Sequence, residues 1–351
     1  LSEQRDFTME EVKGTFKKKD AWWTVLLVDP VAARLVKPVA NRTNITPNQL
    51  SIFSFILGMT AVYCFFLGDY TALVVGALLY HISFIIDCMD GKIARLKGTG
   101  STFGVLLDIT LDHIRVILCG AALTYSQYRL TGDVAYLYLA FMFLAAYCAR
   151  HINALQLYKL RREMRGKLRK ARRKLKRTAE AAGIVIDEPA VQQSDKPEDE
   201  EEEEEEEKNE SLDRVSKQSA QSEQQQPAAS EAELLQKKKF DLQQEFKSKF
   251  STYMKVRDFF LNKRIRMHLF SGIEFQMFIF VVAPIFGLIK EAIFFGSILL
   301  MLFEAAIVYK IWLSTKDFER EHNRIKEATE KAEAMLPQEE LEEQKEAVAG
   351  K

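Results

Sequence analysis

The sequence predicts an all-α integral membrane protein: six transmembrane helices, an N-terminal interfacial amphipathic helix and a charged cytoplasmic insert without fixed structure. Three observations carry this expectation. Of the 351 residues 48% are hydrophobic, and they are gathered into blocks separated by strongly charged stretches. Six of these blocks approach the roughly 20 residues that a helix needs to cross a bilayer core. The blocks are also apolar around most of their circumference, whereas a helix of a soluble bundle shows one apolar stripe. The formal net charge of zero averages over segments of opposite character, so it points to no acidic or basic partner.

Residues 1–43 read as an N-terminal cytoplasmic segment. The polar start, Leu1-Ser-Glu-Gln-Arg, lacks the pattern of a cleavable signal peptide. Ala21–Ala40 mixes Trp22, Trp23, Leu26 and Leu27 with Arg34 and Lys37, and Pro30 interrupts it. That composition suits a helix lying at headgroup level. Residues 44–157 hold four spans, near Gln49–Leu67, Ala72–Ile86, Phe103–Thr124 and Val134–Ala154. Thr46 is placed to cap the first, with Pro47 in its opening turn. The second is short if it stops before Asp87, so its helix is expected to run on toward the membrane surface.

Residues 158–260 form the cytoplasmic insert. It opens with the basic run Tyr158–Arg177, which suits anionic headgroups. A low-complexity stretch from about Glu180 to Glu233 follows, with an unbroken acidic run from Glu198 to Glu207. Low hydrophobicity and block charge predict no fixed structure there. The basic run has almost no interleaved aromatics, which argues against nucleic acid as a partner. Residues 261–314 hold the last two spans, near Phe270–Ile289 and Ala292–Leu313, and 315–351 form a charged, helix-prone tail. Basic residues crowd the loops before the first span, between the second and third, and after the fourth. The positive-inside rule then puts both termini on the cytoplasmic side. Four cysteines (Cys64, Cys88, Cys119, Cys148) lie in or beside apolar helices without metal-ligand spacing, and read as buried free thiols.

The chemistry is concentrated where the second and third spans meet. The run is Asp87-Cys-Met-Asp90-Gly91-Lys-Ile-Ala94-Arg95, followed after eight residues by Gly104-xxx-Asp108-xxx-Asp112. Carboxylates beside membrane-length apolar stretches are costly and mark function by default. Helical spacing puts Gly104, Asp108 and Asp112 one turn apart on one face, and aligns Asp87, Asp90 or Gly91, and Ala94 on the preceding helix. Carboxylates spaced by one turn are ordinarily a solvated face. Here Ile85 and Ile86 on one side, and Phe103, Leu106, Leu107 and Ile109 on the other, leave little water for them. Facing carboxylates in such surroundings call for a compensating cation, and hard Mg²⁺ or Mn²⁺ prefers oxygen ligands.

The pattern D-x2-D-G-x2-A-R-x8-G-x3-D-x3-D resembles the signature of the CDP-alcohol phosphatidyltransferase family, with every fixed position present. The motif spans Asp87 to Asp112, and the hydrophobic plan agrees with the family over most of residues 30 to 315. The resemblance implies transfer of a phosphatidyl or phospho-alcohol group from a CDP-alcohol, such as CDP-diacylglycerol, to a hydroxyl acceptor, with release of CMP. It implies a pair of Mg²⁺ or Mn²⁺ ions held by Asp87, Asp90 and Asp108, with Asp112 as general base and further metal contact. Gly91 and Ala94 would let the nucleotide pack against their helix beside Asp90, Arg95 would donate to phosphate, and Gly104 would permit close approach. Thr46-Pro47-Asn48 resembles the T-P-N segment that borders the family's nucleotide pocket. Members are commonly homodimers.

The acceptor side is less marked. Arg115, Arg150, Arg264, Arg266, His268 and Lys310 are cations that suit an anionic acceptor, although positive-inside anchoring explains each one separately. The cations around Arg264 favour inositol phosphate or glycerol phosphate. Serine, or transfer of a small CDP-linked alcohol to a lipid, are the alternatives. Glu274, inside the fifth span, is expected to pair with Arg266 or His268. A membrane scaffold that recruits partners through its charged segments is the rival from another class. It has no use for the spacing of Gly91, Ala94, Arg95 and Gly104.

Overall fold

The computed structural model describes residues 6–182, 259–260, 262–266 and 270–335. Among these the chain is helical and has no strand; a lone parallel bridge joins Asp20 to Ile265. In order come α1 (Met9–Gly14), a π-helical turn (Thr24–Val28), α2 (Asp29–Arg42), α3 (Pro47–Leu67), α4 (Tyr70–Lys97), α5 (Thr102–Thr131) and α6 (Ala135–Ala181). After the insert come α7 (Gly272–Met277), a second π turn (Phe278–Val282), α8 (Ala283–Phe286) and α9 (Ile289–Ala334). The low-complexity stretch beyond residue 182, its acidic run and His268 lie outside the described residues.

Two compact units are formed: residues 6–154 with the described residues between 259 and 306, and residues 155–182 with 307–335. The core of the first is aromatic. Phe280 lies 4.9 Å from Tyr80, 5.7 Å from Phe143 and 6.1 Å from Phe65, ring centre to ring centre, and all four are buried. In the second, Met164, Leu168, Leu313 and Ile325 are buried, and Lys174 lies 2.9 Å from Glu333 and Arg172 3.8 Å from Glu321. The basic run Tyr158–Arg177 is the continuation of α6, and the tail is helical as far as Ala334.

Among the described residues four helices, α3, α4, α6 and α9, are long and apolar enough to cross a membrane. The expected third span falls on α5, which is long but carries Asp108, Asp112, Arg115 and Arg129. The expected fifth falls on the shorter apolar stretch Gly272–Phe286, which a π turn divides. At the N-terminus the break is not at Pro30. The helix runs on through that proline, and the irregularity is the π turn just before it, where the proline's missing N–H and ring disturb the regular ladder. All four cysteines are free, but Cys119 alone is buried and Cys148 is exposed, so the expectation of buried thiols was too broad.

Candidate active site

Local sequence aims the two aspartate helices. As its length suggested, α4 runs through the motif and ends at Gly98, whose φ of 63° is the left-handed conformation that glycine enters without strain. Ser101 then caps α5, its Oγ accepting from the Gly104 N–H at 3.0 Å. With only residues 98–101 between the helices, the two carboxylate stripes come together. Asp87, Asp90 and Asp108 each offer an oxygen, and these oxygens lie within 4.8 Å of one another.

The surroundings of the three are chosen for anions. Ser51 donates to Asp90 through a short hydrogen bond, and Ser54 donates to Asp87 Oδ1 at 3.2 Å. Asp108 Oδ1 is buried and has no hydrogen-bond partner. A buried carboxylate oxygen left without a donor beside two further carboxylates is what a hard divalent cation satisfies. These residues fit such an ion.

Asp112 is held differently. Arg115, one turn further along α5 and only 2% exposed, places Nη2 2.5 Å from Asp112 Oδ1 and Nη1 3.5 Å from Asp87 Oδ1. Nη1 also donates to Ser54 Oγ at 2.8 Å and Ser83 Oγ at 2.9 Å, and the guanidinium lies 5.8 Å from the centre of the Tyr80 ring. Gly58 makes room for this side chain: a Cβ there would stand 2.4 Å from Arg115 Cδ. The placement does not support the acceptor role expected of Arg115, because its donors are turned to the aspartates. Ser51, Ser54, Gly58, Tyr80 and Ser83 were not singled out from sequence. The available signal was a stripe of small residues at 51, 54 and 58 on one face of an otherwise apolar helix.

On the nucleotide side, Thr46 caps α3 as its sequence suggests, and Gln49 returns the bond to the Thr46 N–H. Thr46, Pro47 and Asn48 border a cavity of about 390 Å³ together with Lys97, Thr99 and Ser101. A Cβ on Gly104 would stand 2.6 Å from Asn48 Oδ1, so the bare glycine admits that side chain. The Arg95 guanidinium passes over Gly91, with Nε donating to the Thr15 carbonyl at 2.8 Å. Gly91 and Ala94 are half-buried on the same helix.

Of the other acceptor candidates, Arg150, Arg264 and Arg266 each pair with a different carboxylate. Arg150 Nε lies 3.0 Å from Glu304, which also accepts from Asn153. Arg264 has a φ of 61° and donates to the Lys17 carbonyl at 2.7 Å and to Asp29 at 3.2 Å. Arg266 lies 3.7 Å from Asp20. Lys310 belongs to the second unit. Glu274 accepts from the backbone N–H and Oγ of Ser271, capping its own helix, and interacts electrostatically with Arg266, while His268 lies outside the described residues.

Comparison with known proteins agrees with the motif. Residues 44–186 match the profile of the family described as CDP-alcohol phosphatidyltransferase. An archaetidylinositol phosphate synthase of Pyrococcus horikoshii is 36% identical over 92 residues, 26% of this chain and 47% of that protein. A phosphatidylinositol phosphate synthase of Corynebacterium glutamicum is 35% identical over 89 residues, covering 25% and 37%. An archaetidylinositol phosphate synthase of Methanothermobacter thermautotrophicus is 31% identical over 108 residues, covering 30% and 54%. The chain therefore spans about half the length, or less, of these relatives.

Proposed function

Because residues 44–186 belong to the CDP-alcohol phosphatidyltransferase family, we propose that this chain moves a phosphatidyl group from CDP-diacylglycerol, or a similar CDP-alcohol, to inositol phosphate and releases CMP. The observation that carries the chemistry is the oxygen cluster of Asp87, Asp90 and Asp108, next to a helix that presents Gly91, Ala94 and Arg95. That these relatives are inositol phosphate synthases supports inositol phosphate over glycerol phosphate as acceptor. Asp87, Asp90 and Asp108 would hold Mg²⁺ or Mn²⁺, which supplies positive charge to the diphosphate and the departing oxygen.

The remaining work falls to the chain's own groups. Asp112 takes the proton of the acceptor hydroxyl. The hydroxyl oxygen forms its bond to the phosphorus that carries the alcohol, the bond from that phosphorus to the bridging oxygen breaks, and CMP leaves with the electron pair. Arg95 donates to the diphosphate, and Thr46, Pro47, Asn48 and Gly104 border the nucleotide. The acceptor phosphate is assigned to Arg264 and Arg266 of the segment before α7.

In this reading α3, α4, α5, α6, the α7–α8 segment and α9 make six crossings, and the basic flanks put the site and both termini in the cytoplasm. α2 lies at the interface, and the chain works as a homodimer. The test is CMP release by the full chain in nanodiscs with Mg²⁺ or Mn²⁺ and CDP-diacylglycerol, across inositol phosphate, glycerol phosphate, serine and lipid acceptors. Release with inositol phosphate is expected. Inactivity across the whole panel overturns the reading in favour of a membrane scaffold.

A further inference from the structure

We infer that an exposed arginine stripe on α6 is the docking surface of an acidic polypeptide segment, and that its occupant is the chain's own run from Glu198 to Glu207. Arg162, Arg169, Arg173 and Arg177 are all exposed, on the part of α6 that belongs to the second unit. At about 100° of turn per residue they fall within about 80° of arc, in a stripe about 22 Å long. Met164 and Leu168, on the far side of the helix, are buried. None of the four arginines has an ion pair among the described residues, whereas neighbouring cations do: Lys167 lies 2.8 Å from Glu163, Arg172 3.8 Å from Glu321 and Lys174 2.9 Å from Glu333. The carboxylates of α9 thus serve other edges of the helix. The stripe keeps four guanidinium forks, whose geometry matches carboxylates.

Charge and reach single out the occupant. Glu198 to Glu207 is ten acidic residues without interruption, and Glu198 follows Ala182, the last described residue after α6, by sixteen positions. That many residues can reach about 50 Å. Arg162, the far end of the stripe, lies about 30 Å back along the helix. Tethering also holds the run at an effective concentration on the order of millimolar. Other polyanions fit less well. Every exposed residue between 159 and 177 is charged, so the helix offers no apolar side chain to lipid tails, as one lying on a bilayer does. Nor does the stripe carry an aromatic on which a base could stack. The docked run neutralises the stripe and shuts it to those other partners. None of these residues belongs to the site of transfer, so the inference stands apart from the assignment of the reaction.

The experiment uses the full chain in nanodiscs of neutral lipid. A fluorescent peptide with the sequence of residues 194–210 is titrated against it, and anisotropy reads binding. A chain whose residues 198–207 are replaced by glycine and serine is expected to bind the peptide roughly tenfold tighter, or more, than the wild type, whose stripe is already filled. Added salt should weaken that binding steeply. Arg162→Gln/Arg169→Gln/Arg173→Gln/Arg177→Gln in the replaced chain should abolish it, with an unchanged circular dichroism melt verifying the fold; the comparison of wild-type and replaced chains does not depend on that variant. With the run intact, a glutamyl endopeptidase should cut within it several-fold faster in the quadruple variant than in the wild type, as located by mass spectrometry. Equal peptide affinity of the wild-type and replaced chains overturns the inference, as does equal cleavage of the wild type and the quadruple variant. Peptide binding that survives loss of the four arginines overturns it too. Capture of phosphatidylserine vesicles or of an RNA oligonucleotide, but not of the peptide, by the replaced chain assigns the stripe to a membrane or to nucleic acid instead.

Discussion

The ammonium of Lys92 stands 3.1 Å from the carboxylate of Asp29, and both side chains are almost closed to solvent. Lys92 lies two residues after Asp90 in the motif helix, while Asp29 opens α2. Arg264 reaches the same carboxylate at 3.2 Å, and the Phe16 ring lies 5.5 Å from the Lys92 ammonium and 5.0 Å from the Arg264 guanidinium. One buried anion therefore ties the N-terminal segment, the aspartate helix and the segment before α7 together.

Removing that anion leaves Lys92 charged and buried without its counterion. Asp29→Asn is expected to destabilise the fold by about 3–5 kcal/mol, the usual range for breaking a buried pair from one side. Asp29→Asn/Lys92→Met should recover much of the loss, because the buried ammonium is gone and the Arg264 guanidinium that also loses its partner is partly open to solvent. Denaturant unfolding in mixed micelles, followed by circular dichroism, measures both. Equal losses in the single and double variants would show that the pairing is not the source of the stability.

Gly58→Ala tests the packing of Arg115. The added Cβ would stand 2.4 Å from Cδ and 2.9 Å from Cγ, atoms in the middle of a side chain whose far end is held by Ser54, Ser83, Asp87 and Asp112. Overpacking of this kind costs about 1–3 kcal/mol. Relief by moving the guanidinium also releases Asp112, so turnover should fall by more than tenfold even where the protein remains folded. Unchanged kcat in folded Gly58→Ala would show that the placement of Arg115 does not matter to the reaction.

The aspartates were legible in the sequence because helical spacing and the cost of charge beside apolar stretches point the same way, and both depend only on local order. The role of Arg115 was not. An arginine three residues after Asp112 reads equally well as a phosphate ligand, and what decides between them is the position of Ser54 and Ser83 on two other helices. Glu274 is the opposite case. Ser271-Gly-Ile-Glu274 carries the S-x-x-E pattern of a capping box in plain view, so its bond to Ser271 is readable from local order alone. The π turns at Thr24–Val28 and Phe278–Val282 each end two residues before a proline, Pro30 and Pro284, whose missing N–H and ring disturb the turn ahead of them, so the signal lay just outside the turns themselves.

Gly104→Ala probes the nucleotide side without touching an aspartate. Its Cβ would meet Asn48 Oδ1 at 2.6 Å, and Asn48 can relieve this by turning its amide, so stability should change little. The displaced amide borders the cavity assigned to the nucleotide. The KM for the CDP-alcohol is expected to rise several-fold with kcat nearly kept, the mark of binding lost equally from ground state and transition state. Steady-state kinetics at fixed acceptor separates the two; a fall in kcat alone would place Gly104 in the reaction step instead.

Away from the site, Asp133 in the turn between α5 and α6 is paired with Lys290 at the start of α9. The hydrogen bond from Lys290, and then that from the Ala135 N–H, hold the Asp133 carboxyl below its ordinary value of 3.8. A depressed folded value means stabilisation that is present in full above the unfolded value and is lost as pH falls through the folded one. The difference in melting temperature between wild type and Asp133→Asn should therefore be flat from pH 8 to about pH 5 and shrink below pH 4. Salt should reduce it at every pH, since the pair is exposed. A difference that grows on acidification would contradict the assignment.

Asp112→Asn separates proton transfer from binding. The amide keeps the shape of the carboxylate, and the three aspartates whose oxygens converge are left intact. An amide cannot take the acceptor's proton, and it no longer offers Arg115 a charge. Turnover should drop by at least 10²-fold, the lower end of what a positioned general base supplies. Binding of CDP-diacylglycerol in the presence of Mn²⁺ should stay within a few-fold of wild type, because the donor rests on the metal ligands and on the helix face of Gly91 and Arg95. Both quantities are read on one preparation, CMP release for turnover and titration calorimetry for binding. Loss of binding with loss of turnover would make Asp112 part of the donor site, and normal turnover would move the proton to another group.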